Sequence, residues 1–149
     1  MPFSENDVKL ADGQIYKVHN LIHPTFLTVQ LDKEVLNIPY RLYFNGPDKK
    51  DEAKLTGTQG TILNCIYLRH HDGHLRERRL RQLLDKNDYW VIPFTLQLLG
   101  EYVLEILEVL GKHINDKNIR NYQRFTKENP KYWQQTESRM ISYWNEYYR

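Results

Sequence analysis

Between Tyr89 and Leu110 the chain reads "YWVIPFTLQLLGEYVLEILEVL", a stretch with too few polar residues to lie on a surface. On a helix turning ~100° per residue, Gln97, Glu101, Glu105, Glu108 and Lys112 fall in a strip about 80° wide. Most of the remaining circumference is apolar or small, and a helix with so narrow a polar face is normally surrounded by other elements. The pattern therefore predicts a helix over Trp90–Lys112 at the centre of a helical assembly. Pro93 and three glutamates argue against a membrane span, because carboxylates in lipid are costly. Pro93, Gly100 and Gly111 share one narrow line, where another backbone can approach closely. Pro93 either opens the helix at its first position or bends it.

The first third reads as β-structure. Leu27, Val29 and Leu31 alternate with Thr28 and Gln30, and after Asp32-Lys33-Glu34 the run Leu36, Ile38, Tyr40, Leu42, Phe44 alternates again. Period two on both sides of a short polar link predicts an antiparallel hairpin with one apolar face. Pro39 cannot donate to a ladder, so it belongs on an edge or at a bulge. An earlier strand is expected at Ile15–His19. The polar loop Asn45–Lys54 is the clearest internal boundary.

Everything afterwards reads as helix. A first helix is expected from about Thr56 to His70, with Ile62, Leu63 and Ile66 on one arc, and a second from Gly73 to Asp85. Two more follow the centrepiece, over Asp116–Lys127 and after Asn129-Pro130, an N-cap with proline at the first helical position. The expected fold class is α+β, helix-dominant: a small N-terminal antiparallel hairpin followed by about five packed helices. At 149 residues the chain is expected to form one domain, with a β region over 1–45 and a helical region over 55–149.

Charge excludes an obvious polyanion binder, since the formal net charge is only +2. Its distribution is uneven: residues 112–149 hold eight basic and four acidic residues. One cysteine, Cys65, suits a reducing compartment, and the first ten residues lack the basic and apolar regions of a signal peptide. A cytoplasmic location is the expectation, with no membrane partner.

Chemistry concentrates in "RHHDGHLRERRLRQLL" (Arg69–Leu84). His70, His71 and His74 beside Asp72 resemble zinc ligands by type. Asp72-Gly73 interrupts the His70/His74 spacing, however, and histidines near a helix C-terminus also complement its dipole. The bland account is preferred and no metal is assigned. On the second helix Leu75, Leu80, Leu83 and Leu84 define the buried arc. Arg76 projects through its middle and Arg79 along its edge, whereas Arg78 and Arg81 point away. A guanidinium on a buried face is costly unless paired. Arg76 is therefore expected in a structural ion pair, with Asp72, Glu101 and Glu105 as the partners on offer. Alternatively the four arginines form one solvated patch in which Arg78 and Arg81 contact phosphates.

"DGHLR" (Asp72–Arg76) resembles the D-x-x-V-R turn of HEAT-like helical repeats, and "PFTLQLL" (Pro93–Leu99) resembles the Pro-led first helix of such a repeat. The resemblance covers roughly residues 56–110 and implies stacked helix pairs. In that family the Asp and Arg make structural contacts and the assemblies bind proteins. No second D-x-x-V-R occurs, and Arg79 stands where the family usually has a small residue.

No phosphate loop, nucleotide fingerprint or nucleophile elbow is present. The strip Glu101/Glu105/Glu108 has paired-carboxylate spacing, but no Glu-x-x-His accompanies it and a solvated stripe or arginine counter-charge is preferred. Cys65 reads as a small core residue. No catalytic residue and no cofactor are assigned, and the leaning is against an enzyme. The segment from Asn121 onward interleaves eight aromatics with basic residues. Trp133, Met140, Ile141, Trp144, Tyr147 and Tyr148 project from one side of its last helix. That composition suits intramolecular packing, a protein interface or nucleic acid. The functional expectation is a non-catalytic protein–protein interaction or assembly module. Its candidate interface is Trp133, Met140, Trp144, Tyr147 and Tyr148, and its simplest partner a second copy. The alternative is a nucleic-acid-binding protein using the helix at 73–85 and the basic aromatic end.

Overall fold

The computed structural model describes residues 5–9, 15–19, 26–43, 47–101 and 103–147. Phe44, Asn45 and Tyr148, named above, lie outside the described residues. The fold is α+β and helix-dominant. Its elements are β1 (Glu5–Lys9), β2 (Ile15–His19), β3 (Phe26–Leu31), β4 (Glu34–Pro39), α1 (Lys49–Glu52), α2 (Gly57–Tyr67), α3 (Gly73–Arg81), α4 (Ile92–Leu96), α5 (Leu104–His113), α6 (Ile119–Glu128) and α7 (Pro130–Tyr147).

The strands form two antiparallel pairs, β1 with β2 and β3 with β4. In the second, Val29 faces Leu36 and Leu27 faces Ile38. The link is Asp32-Lys33, both at positive φ (51° and 71°), as a two-residue turn that follows strand twist requires. β4 stops at Pro39, and Leu42 continues only as an isolated parallel bridge to His70. Val29 and Ile38 are fully buried against Ile92, Leu96, Tyr122, Phe125 and Tyr132. The hairpin is also held by polar contacts. Asn129 imitates a strand neighbour, accepting from Gln30 N at 2.7 Å and donating to Gln30 O at 2.8 Å. Its side chain is therefore not spent on capping α7, although its carbonyl accepts the first helical bond from Trp133 N. Glu128 accepts from Lys33 N at 2.9 Å and from the Tyr89 hydroxyl at 2.6 Å. Those two donors hold its carboxyl below the usual range.

α2 opens on a capping box, in which Thr56 Oγ1 accepts from Gln59 N and Gln59 Oε1 from Thr56 N. Its buried arc is Thr61, Cys65 and Leu68, one position away from the expected Ile62, Leu63 and Ile66, and Ile62 and Ile66 are exposed. Small side chains on the inner face let α2 approach its neighbours, so the bulkier isoleucines turn out. Burial pushes the Cys65 thiol up to about 12.

The expected continuous helix over Trp90–Lys112 is instead broken. A 3-10 turn (Tyr89–Val91), α4, a second 3-10 segment (Gln97–Gly100) and α5 follow one another. Glu101 and Val103 are extended (ψ 154° and 110°). The break separates the strip the sequence suggested: Glu101 is buried, while Glu105 and Glu108 on α5 are exposed. The Leu80, Leu83, Leu98, Ile106 and Leu110 side chains around it are fully buried, so the centre is apolar as expected. His113 closes α5, buried with its ring edge-on to Tyr122 at 6.1 Å. Burial lowers its pKa. Among the described residues no helix is long and apolar enough to cross a membrane.

Candidate functional site

Two places hold the candidate residues: the corner where α2 hands over to α3, and the far end of α7.

At the corner Asp72 caps α3, its carboxylate accepting from His74 N at 2.9 Å. That bond holds the Asp72 carboxyl below its usual range. Asp72 is thus engaged with the backbone. The partner of Arg76 is Glu101, at 3.2 Å from Nη2 to Oε2, both side chains being 6 % accessible. Arg76 Nη1 reaches back to the carbonyls of His70 (2.8 Å) and His71 (3.1 Å), which ties α3 to the segment leaving α2. Glu105 lies on the exposed face of α5, away from this pair.

Glu101 is shared. Its second oxygen lies 3.3 Å from Arg41 Nη2, and Arg69 is close enough to be favoured by its charge. Arg69 is 2 % exposed, with Nε and Nη2 buried and without a hydrogen-bond partner among the described residues. Burial lowers its pKa to about 10, so the group stays charged at neutral pH. Arg79, also buried, forms a two-pronged pair with Glu52 of α1, donates to Asn64 at 3.0 Å and stands over the Tyr67 ring.

The sequence suggested no role for Arg41, Arg69 or Glu52. Arg69 follows Cys65 by four residues and so continues the true inner arc of α2, a signal the isoleucines obscured. Glu52 sits in what reads as a solvated loop, and nothing local marks it.

His70 is buried, stacked on Tyr67 (5.7 Å) and tilted against the His71 ring (4.4 Å), and its Nδ1 accepts from Asp72 N. His71 stacks on Tyr43, and His74 is exposed. Among the described residues no group of three or more His, Cys, Asp or Glu is arranged to hold a metal ion. Arg78 is exposed, and Arg81 is paired with Glu77 of its own helix at 3.0 Å. The four arginines therefore face two ways: Arg76 and Arg79 inward, Arg78 and Arg81 outward.

On α7, Trp133, Met140, Trp144 and Tyr147 lie within about 60° of one line at ~100° per residue. Trp133 and Met140 are half-buried, beside the buried Tyr132 and Thr136. Burial pushes the Tyr132 phenol up to about 12, with Arg69 pulling the other way. Past Thr136 no described residue of α7 is buried. Ile141, Trp144 and Tyr147 are 53, 59 and 54 % exposed. The aromatic line that starts against the core thus continues beyond it.

No protein-family model matches the chain, and neither the curated proteins nor the solved structures compared with it contain a match.

Proposed function

We propose that this chain is a non-catalytic protein–protein interaction or assembly module that docks through the outer half of α7. The observation that carries the reading is the exposure of Ile141, Trp144 and Tyr147 on turns past the last buried residue described on α7. Large aromatic side chains are the usual anchors of protein interfaces. The half-buried Trp133 and Met140 fix the start of the line, so its outer end is presented on a rigid helix. A second copy is the simplest partner, and a reducing cell interior the expected location.

Capture from a lysate with the wild-type chain and with Trp144→Ala, each with and without nuclease, tests the reading. Partners retained after nuclease but lost with Trp144→Ala, while the mutant melts like the wild type, support it. Partners lost with nuclease would replace it with the nucleic-acid reading through Arg78 and Arg81.

A further inference from the structure

We propose that the groove between the free edge of β3 and the first turns of α7 is a docking site for an extended acidic peptide segment of a partner protein, which adds a strand to the β3–β4 pair. The site is separate from the outer half of α7 and stands whether or not that end docks a partner.

The edge follows from the register. The two-residue turn makes Leu31 and Glu34 a hydrogen-bonded pair, and Val29 and Leu27 repeat that pairing with Leu36 and Ile38. The N–H and C=O groups of Gln30, Thr28 and Phe26 therefore point away from β4. At Gln30 both are met by the Asn129 side-chain amide, in the manner of a neighbouring strand. At Thr28, roughly 7 Å further along, and at Phe26, no described residue takes that place.

An open strand edge alone is ordinarily satisfied by water. This one lies along a groove of about 440 Å³, walled by residues 26–28 on one side and by the start of α7, with Lys131, Tyr132 and Gln135, on the other. Strand addition to such an edge gives an extended peptide main-chain hydrogen bonds, in a register that Asn129 already fixes. A recess of about 30 Å³ shares Leu27, Tyr132 and Gln135 with the groove and is also lined by Gln97. Gln97 is 8 % exposed, and its amide oxygen is buried without a hydrogen-bond partner among the described residues. A buried acceptor left unmet is costly. A recess of that size admits a single polar group, so one donor carried in by the occupant relieves it.

Charge selects the occupant. Lys131, Gln135 and Arg139 follow one another at four-residue intervals on the side of α7 that lines the groove and recess. Neither Lys131 nor Arg139 has a salt bridge among the described residues. The only carboxylate among the lining residues is Glu128, and both its oxygens already accept, from Lys33 N and the Tyr89 hydroxyl. The N–H groups of Lys131 and Tyr132 open α7 without a cap, since the Asn129 side chain is turned to β3. Unpaired cations and the positive end of an 18-residue helix both favour carboxylates.

The test is amide NMR of the full chain titrated with the peptide acetyl-Glu-Val-Glu-Val-Glu-Val-amide and with its lysine counterpart. Two further forms of the acidic peptide are N-methylated, one at the glutamates and one at the valines. The acidic peptide is expected to move the Thr28 and Lys131 amides, and the lysine peptide to bind about tenfold more weakly. One methylated form should lose binding and the other keep it, because an added strand bonds β3 along one edge only. Lys131→Glu combined with Arg139→Glu, both at exposed positions, should melt like the wild type and bind the acidic peptide about tenfold more weakly. No response at Thr28, equal binding of the acidic and lysine peptides, or shifts confined to residues 141–147 would overturn the groove. Concentration-dependent shifts at Thr28 without peptide would put a second copy there and overturn it as well.

Discussion

The α2–α3 corner and the outer half of α7 invert the ordinary division between inside and outside. One buries Arg69, Arg76 and Arg79; the other leaves Ile141, Trp144 and Tyr147 more than half exposed. Arg76 and Arg79 are held by counterparts from other segments: Glu101 from the break before α5, Glu52 from α1, and carbonyls from His70 and His71. On α7 Thr136 is the last buried residue among those described, and Ile141, Trp144 and Tyr147 lie past it. Where a residue type lies is thus decided by what the neighbouring segments offer it.

The strongest way to break the contrast is to remove Glu101. Glu101→Ala removes the carboxylate that Arg41 and Arg76 share and whose charge favours Arg69, and it should cost about 3–5 kcal/mol in urea unfolding. Arg76→Ala should follow at roughly 3 kcal/mol, because it orphans Glu101 in part and releases two carbonyls, whereas Arg78→Ala should stay within about 0.5 kcal/mol. Equal small effects of the two would return Arg76 to the surface. A weaker lever is acid. The pKa of His113 is lowered in the folded state, so the unfolded chain binds the proton more readily. The stability His113 lends is complete above its unfolded pKa of about 6.5 and is lost as pH falls through the lower folded value. Melting followed from pH 7.5 to 5 should show that slope, and His113→Gln should flatten it; an unchanged slope would assign the acid sensitivity elsewhere. The smallest effect belongs to α7: Trp144→Ala should change monomer stability by less than about 0.5 kcal/mol, and a clear loss in melting temperature would make Trp144 a core residue.

Much of this arrangement is legible in the residues. Alternation over Leu27–Leu31 and Leu36–Ile38 predicts β3 and β4, and the Asp32-Lys33 link predicts their turn, because a two-residue period leaves few other folds. Thr56 and Asn129-Pro130 mark helix starts through local hydrogen bonding and a preset φ. Arg76 can be placed because Leu80 and Leu83 flank it on the same arc. The break at Glu101 is not legible. A helical wheel gives that residue the same face as Glu105 and Glu108, and only the distant arginines draw it inward. The inner face of α2 is misread for a related reason: hydropathy ranks Ile62 and Ile66 above Thr61 and Cys65, while close helix approach favours the smaller pair. Contacts between segments far apart in the chain, such as Arg79 with Glu52, leave no periodic trace.

The position of Cys65 has a practical consequence. A thiol that is 1 % exposed, with its pKa raised to about 12, presents almost no thiolate to an alkylating reagent while the core is closed. Labelling must therefore wait for α2 to part from its neighbours. With rapid reclosing, its rate reports how often that opening occurs, which makes the chain's single native sulfhydryl a clock for the innermost motion of the fold.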